Sequence, residues 1–150
     1  MLDNTSPKVA CSGVPGGTTS LALTVVDPDA SGFVHRVVWN IARDSTGLAA
    51  GVPGDSDPAG GARHALNDFA PFVEPGELGP GGAPFKTIGH DGPYRGAVHT
   101  YRFAIYALTS AIDLPGGSPA AEILGAIEAG RADGSLIAEA TITGRSGPEG

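Results

Sequence analysis

The chain has 150 residues, a length that favours one domain with a buried core. Its formal net charge is −7 and only 9 residues are Lys or Arg, which argues against a nucleic-acid partner or a basic membrane-binding surface. Gly (24) and Pro (13) are abundant, but 41% of the residues are hydrophobic and fall into periodic runs. This pattern predicts many short strands joined by turns rather than disorder.

The cysteine count and the first ten residues indicate the cellular compartment. Cys11 is the sole cysteine in the sequence, so an internal disulfide cannot form. The first ten residues lack the basic and apolar segments of a secretory signal, and no run approaches the roughly 18–20 apolar residues of a membrane span. We therefore expect a cytoplasmic protein with no stable membrane insertion.

The first strong pattern is a β-hairpin. Residues 20–26 alternate with the period of a strand, and the Asp-Pro-Asp sequence that follows favours a turn. Residues 33–41 form a second run rich in Val. The hairpin should therefore gather Asp27, Asp29 and His35 near one end of a sheet.

Further elements follow in the second half of the chain. Residues 98–108 alternate as a strand, and residues 135–143 predict a final strand. Between them Ser118 is a candidate helix N-cap with Pro119 at the first helical position, and Gly130 is expected just past the helix end. A short edge strand is expected around Val9.

The sequence also predicts a core. The aromatic face of the 98–108 strand is expected to be the buried one. The residues expected between two sheets are Leu23, Val25, Val37, Trp39, Phe103 and Ile105.

A Gly/Pro-rich segment at 71–89 has no regular period. Stretches of this length without secondary structure in a compact domain are usually functional or mobile. We expect an inserted loop here. One hypothesis is a lid over a nearby pocket, with Phe72, Val73 and Phe85 on its underside, and the alternative is a solvated surface loop.

Several groups could carry chemistry. His35, His99 and the carboxylates of Asp27 and Asp29 accompany a Gly/Pro loop at 89–96, and such a loop can direct backbone N–H groups at an anion. Imidazole and carboxylate groups also bind metals, but the usual His and Cys spacings are missing from the sequence. A Gly-x-Ser-x-Gly nucleophile motif is missing as well. We expect no metal and no cofactor.

The order of several short motifs is more specific than any one of them. The chain resembles the phosphatidylethanolamine-binding protein family, in particular its bacterial Raf-kinase-inhibitor-like branch. The matching motifs are Asn4-Thr5-Ser6-Pro7, Ser12-Gly13-Val14-Pro15, the Asp-Pro-Asp-Ala at 27–30, residues 35–41, Asn67-Asp68-Phe69, Gly92-Pro93, residues 99–103 and Tyr106-Ala107-Leu108.

This resemblance implies a mainly β fold, an antiparallel β-sandwich with one or two short helices, as a single domain over residues 1–150. It also implies a small anion-accepting pocket at one end of the sandwich. Carried over by motif, the ligand-binding residues of that pocket are Asp27, His35, Gly92, Pro93, His99 and Tyr101. The family binds phosphate-like head groups there, and some members regulate kinases.

Three departures from the family pattern stand out. The first motif lies at the start of the sequence, so we expect a domain that is short at its N-terminus. Cys11 stands where a Trp is usual, and Tyr94 where a second proline is usual. The spacer between Asn67-Asp68 and Gly92 is longer than in the bacterial branch. These departures bear on the ligand more than on the fold.

The function expected from this resemblance is binding of a small anionic or polar ligand, such as phosphate or a phospholipid head group. The alternative is an enzyme, an isomerase, lyase or cyclase, that uses Asp27, His35 and His99 for acid–base chemistry. A third class is an interaction protein with a vestigial pocket. A protein partner and a homodimer both stay open.

Overall fold

The structure is a computed structural model that describes residues 8–45, 47–48, 61–74, 77–78, 86–88 and 98–146. Its strands are β1 (Val9–Ala10), β2 (Ser20–Asp27), β3 (Phe33–Ala42), β4 (Gly47–Leu48), β5 (Arg63–His64), β6 (His99–Leu108) and β7 (Leu136–Ser146). Helix α1 (Ala120–Asp133) lies between β6 and β7, and a 3-10 turn covers Pro28–Ala30.

The predicted hairpin forms the centre of a five-stranded antiparallel sheet. The strand order is β5-β3-β2-β6-β7, so β2 pairs with both β3 and β6. Two register shifts interrupt the β2–β3 pairing, one of them between Val25 and Val26 near the turn. Such shifts bend the strands and change which way their side chains point.

The turn of the hairpin is built from its own acidic residue. Asp27 caps the 3-10 turn by accepting a hydrogen bond from Ala30 N at Oδ1, 3.1 Å away. Ser31 and Gly32 then take positive φ values of 57° and 79°, and Gly32 N donates to Asp27 O at 3.0 Å. The chain thereby reverses directly into β3, and the carboxyl end of β2 faces the start of that strand.

Helix α1 covers one face of the sheet. Ile123 and Ile127 on the helix pack with Val37 and Trp39 of β3 in a single buried cluster. Trp39 is fully buried. The segment before the helix is tied to the sheet by Asn40, whose side-chain amide accepts from Ile112 N at 2.8 Å and donates to Ile112 O at 2.9 Å.

The N-terminal segment covers the opposite face. Val9, Cys11 and Val14 pack against a second buried cluster that includes Leu23 and Val38. β1 pairs with β4 in a small antiparallel sheet. The predicted fold class, a mainly β antiparallel sandwich with one or two short helices, is therefore confirmed, with a single helix in the part of the chain that the structure describes.

Two details differ from the sequence prediction of the helix. Pro119, rather than Ser118, is the N-cap residue, and the Ser118 hydroxyl donates to Pro115 O at 2.6 Å. The helix also continues through Gly130 and ends at Asp133, with Gly134 as its C-cap residue at a φ of 88°. A Cβ on Gly130 would lie 2.9 Å from Ser135 Oγ, so this glycine permits close packing inside the helix rather than ending it.

The prediction that only the aromatic face of β6 is buried was too simple. Tyr101 on that face is buried, but Phe103 and Ile105 are half-buried, whereas Ala104 and Leu108 of the other face are buried. The other four residues expected in the core are buried, Leu23 and Val25 in β2 and Val37 and Trp39 in β3. The sheet is covered on both sides, so side chains on both faces of β6 are shielded from water.

Candidate functional site

The site is organised by the carboxylate of Asp27 at the end of β2. Its side chain is buried, with 3% of its surface exposed. Oδ1 is used by the 3-10 turn, which leaves Oδ2 directed at the ends of the neighbouring strands. His99, the first residue of β6, lies there, with its Nδ1 2.5 Å from Asp27 Oδ2.

This short contact fixes the roles of the two groups. A carboxylate only accepts, so Nδ1–H of His99 donates to it, and Nε2 of the same ring is left as the acceptor in the neutral imidazole. The His99 side chain is 29% exposed, so a ligand can reach the ring. An imidazole oriented by a buried carboxylate can serve as a base or, once protonated, as an anion-binding donor.

His35 brings a second imidazole to the same oxygen. Its Nε2 lies 4.0 Å from Asp27 Oδ2, too far for a direct hydrogen bond but close enough for charge coupling. The His35 side chain is 5% exposed. The hairpin places it, because β3 runs back past the end of β2.

Aromatic rings surround His35. Tyr101 meets it edge-on with ring centroids 5.3 Å apart, and Phe69 does so at 5.8 Å. Phe33 completes the group, 5.0 Å from His35 and 4.7 Å from Phe69. These rings exclude water from the inner side of the site, which strengthens electrostatic interactions within it.

Tyr101 is held in its neutral form. Burial raises the pKa of its phenol to about 12, and the negative charges of Asp27 and Asp29 add to this effect. The hydroxyl is therefore a hydrogen-bond donor over the whole physiological pH range.

Two other carboxylates near the site hold the backbone in place. Asp29 Oδ2 accepts from Thr100 N at 2.7 Å, which links the hairpin turn to the start of β6. Asp68 Oδ2 accepts from Val34 N at 2.7 Å, which fixes the start of β3. Asp29 was considered from the sequence as part of a carboxylate pair for chemistry, whereas the described contact gives it a positioning role.

Asn67 joins the two ends of the Gly/Pro-rich segment. Its side chain donates to Lys86 O at 2.7 Å, and its backbone N donates to Thr87 O at 2.8 Å. Leu66 and Ile88 form a β-bridge beside it. The segment therefore begins and returns at one place, next to Phe69 and the site.

The lid hypothesis is weakened in one respect. Phe72 is 78% exposed, so it does not contribute to an apolar underside in this structure, while Val73 is half-buried. Phe85 lies outside the described residues. Gly92, Pro93 and the whole loop at 89–97 also lie outside the described residues. The predicted ligand-binding residues that the structure describes are Asp27, His35, His99 and Tyr101.

A buried pair beside the core, in which a guanidinium donates to an imidazole nitrogen, was not predicted from the sequence. Arg36 Nε and Nη2 lie 3.2 and 2.9 Å from His64 Nε2, and Arg36 and His64 are 1% and 0% exposed. Burial lowers the pKa of Arg36 to about 10. Arg36 could have been noticed, because it follows His35 in a recognised motif. His64 could not, because its segment has no periodicity.

Other chemistry has less support in the described residues. They contain no group of three or more His, Cys, Asp or Glu side chains arranged to hold a metal ion. Cys11 is half-buried and its Sγ lies 3.8 Å from Ser45 O. No helix in the described part of the chain is long and apolar enough to cross a membrane.

Comparison with known proteins identifies the family. The model of the family described as "Phosphatidylethanolamine-binding protein" matches residues 2–145. The chain belongs to the phosphatidylethanolamine-binding protein family. A relative from Methanothermobacter thermautotrophicus, named only as a UPF0098 protein, is 35% identical over 145 residues, which are 95% of this chain and 82% of the relative.

Solved structures of family members agree in fold. YbcL of Escherichia coli superposes with a TM-score of 0.69 at 32% identity, covering 97% of this chain and 82% of that structure. A phosphatidylethanolamine-binding protein homologue from Chlamydia trachomatis, CT736, gives a TM-score of 0.72 at 27% identity with the same coverage. The resemblance noted in the sequence motifs is thereby confirmed.

Proposed function

We propose that the chain binds a small phosphate-bearing or polar ligand, such as phosphate or a phospholipid head group, at the Asp27 site. The observation that carries this proposal is the placement of two imidazoles around one buried carboxylate oxygen at the end of the sheet. The ligand-binding residues we assign are Asp27, His35, His99 and Tyr101, with Gly92 and Pro93 assigned from the family motif.

The charge of this cluster sets which ligand fits. When both imidazoles are neutral, the cluster carries the single negative charge of Asp27, which repels an anion. Protonating one imidazole neutralises the cluster, and protonating both makes it positive. A phosphate group should therefore bind more tightly as the pH falls and the imidazoles take up protons. A ligand that also carries an ammonium group can place it against Asp27.

Calorimetric titration across this pH range tests the proposal. We expect the affinity for inorganic phosphate and for phosphoethanolamine to increase from mildly basic to mildly acid pH. His99→Gln should weaken phosphate binding by roughly tenfold or more, because one charge-assisted hydrogen bond is lost. Glu128→Gln, on an exposed helix position, is the matched control and should bind as the unchanged chain does. Affinity that stays flat with pH, or is insensitive to His99, would contradict the proposal.

An enzyme is the second candidate, and the Asp27–His99 contact favours it. A histidine whose Nδ1–H is held by a buried carboxylate presents Nε2 as a general base. Proton abstraction next to a carbonyl, as an isomerase, lyase or cyclase requires, is the reaction class that this pair could support. Proton NMR in D₂O of small carbonyl compounds mixed with the protein would detect it as exchange of a C–H proton. Exchange that persists in His99→Gln would exclude this site.

The cytoplasmic location stays a prediction, which rests on the single cysteine and is checked by fractionation of expressing cells. A protein partner for the site is also a proposal at this stage.

A further inference from the structure

The last strand has an open edge. β7 has 11 residues and pairs with β6 from Leu136 to Ser146, with one register shift at Ile137, and the described residues place no strand on its other side. Every second residue of such a strand directs its backbone N–H and C=O outward, where no described strand pairs with them. The opposite edge of the sheet is different, because β5 there has two residues.

β7 has a register shift at Ile137 near its start, but from Ala138 onward it lacks the features that usually protect an edge. Native edges are commonly short or carry a proline, a bulge or a run of like charges. β7 contains no proline, and its charged side chains are one of each sign, Glu139 and Arg145. Ile142, near its centre, is 65% exposed and lies opposite the half-buried Phe103 of β6.

The sequence of β7 is complementary to itself in one register. If two copies pair antiparallel about a two-fold axis at Ile142, residues equally far before and after Ile142 lie opposite each other. Glu139 then faces Arg145 of the second copy, Thr141 faces Thr143, and Ile142 faces itself. Opposite charges, Thr–Thr pairs and β-branched pairs are the combinations that stabilise neighbouring strands.

Neighbouring registers lose this match. Moving the axis one residue towards the N-terminus places Ile137 opposite Arg145, and moving it further to Glu139 places like charges together. Moving it to Thr143 removes the partner of Glu139 from the strand and sets Ile142 against Gly144. Of these registers, the one centred on Ile142 sets Glu139 against Arg145.

We propose that β7 is a dimerisation edge at which a second copy of this chain pairs antiparallel about Ile142, joining the two sheets into one. The pairing is isologous and closes on itself, so it gives a dimer rather than a fibre. Glu139 already accepts from Arg131 of the helix at 2.6 Å, and its carboxylate has capacity for a second guanidinium. On the other face, Ile142 and Phe103 of both copies form one apolar patch.

Site-specific crosslinking tests both the dimer and its register. In a Cys11→Ser background, Ile142→Cys should oxidise to a disulfide-linked dimer, because directly opposed Cα atoms are about 4.5–5.5 Å apart. Thr141→Cys is the matched control and should not crosslink by itself, since its opposite residue is Thr143. The combination of Thr141→Cys and Thr143→Cys should crosslink.

Sedimentation velocity of the unmodified chain should show a concentration-dependent dimer. Ile142→Lys sets two ammonium groups together at the axis and should raise the dimer dissociation constant at least tenfold, with an unchanged circular dichroism spectrum. A monomer at all concentrations would overturn the proposal. A monomer whose β7 amides are protected from hydrogen exchange would instead show that a segment of the same chain covers the edge. Crosslinking by Thr141→Cys alone would overturn the register.

Discussion

At the scale of single residues, Tyr101 shows how the site controls its own protonation. The raised pKa of about 12 means that the fold favours the neutral phenol. Its contribution to stability is therefore complete below the ordinary pKa of about 10 and is lost as the pH rises towards 12. Tyr101 should be neutral whenever a ligand meets the site under physiological conditions.

An ultraviolet titration of the phenolates checks this. We expect a step near pH 12 that disappears in Tyr101→Phe and persists in the control Tyr106→Phe. If all three tyrosines of the chain ionised together near pH 10, the burial of Tyr101 beside Asp27 would be contradicted.

Arg36 and His64 form a second residue-scale unit, and we expect their energies to be coupled. His64→Leu leaves a buried guanidinium without its described acceptor, which should cost about 1.5–3 kcal/mol. Arg36→Met combined with His64→Leu removes the charge as well, and the double variant should be more stable than the sum of the single losses by about 0.5–3 kcal/mol. Denaturant unfolding of the four proteins measures this, and strictly additive losses would refute the coupling.

The sequence was sufficient to bring Asp27, His35 and His99 together, but not to pair Arg36 with His64. Asp27 and His35 are joined by a hairpin of contiguous residues, so local periodicity was sufficient to bring them together. His99 is 72 residues from Asp27 and was placed by its motif. His64 could not be paired with Arg36, because a two-residue strand such as β5 has too few residues to show a period.

At the scale of elements, helix α1 contains two glycines in contrasting surroundings. Gly125 is exposed, and a Cβ there would meet no atom within 4 Å. Gly130 is buried, and a Cβ there would lie 2.9 Å from Ser135 Oγ and 3.4 Å from Leu136 N. Alanine is the better helix former at both positions, but only at Gly130 does tertiary packing leave no room for its methyl group.

Paired alanine substitutions test this contrast. Gly125→Ala should stabilise the protein by about 0.5–1 kcal/mol through helix propensity. Gly130→Ala should be less stable than Gly125→Ala by at least about 1 kcal/mol, because the added methyl group overpacks the contact with β7. Adding Ser135→Ala to Gly130→Ala should recover part of the loss. Equal stabilisation by both glycine substitutions would show that α1 does not pack closely there.

This contrast also explains the misplaced helix end. Glycine past the last periodic residue is a common stop signal, and Gly130 matched it. The structural reason for Gly130 is the close approach of Ser135, just after the helix, and of Leu108 in β6, which the helical period of the sequence does not show. Gly134 fulfils the stop role, and its backbone N donates to Gly130 O at 3.0 Å.

At the scale of the whole molecule, the five-stranded sheet is a middle layer. Its two faces belong to different buried clusters, one under helix α1 and one under the N-terminal segment. The sequence periods predicted the long strands, and the family resemblance predicted their assembly. A short strand around Val9 was expected and is β1, but its pairing with β4 and the two-sided burial of β6 depend on contacts between distant segments, which alternation in one strand does not reveal.

Core truncations on the two faces test the layered arrangement. Leu23→Ala, on the side of the N-terminal segment, and Ile123→Ala, on the helix side, should each cost about 2–5 kcal/mol because both side chains are almost fully buried. Ile137→Ala is the control, since this residue is 39% exposed, and should cost less than about 1 kcal/mol. Denaturant unfolding gives the three values. A decrease of less than about 1 kcal/mol in the free energy of unfolding for either buried residue would mean that its face of the sheet is not covered as described.

The position of Trp39 gives the protein an internal optical probe. It is the sole tryptophan in the sequence, it is fully buried beneath helix α1, and among the described residues its indole Nε1 has no hydrogen-bond partner. Its fluorescence should therefore be emitted at the short wavelengths typical of an indole in apolar surroundings. When the helix separates from the sheet, water reaches the ring and the emission moves to longer wavelengths, so unfolding can be followed without an attached dye.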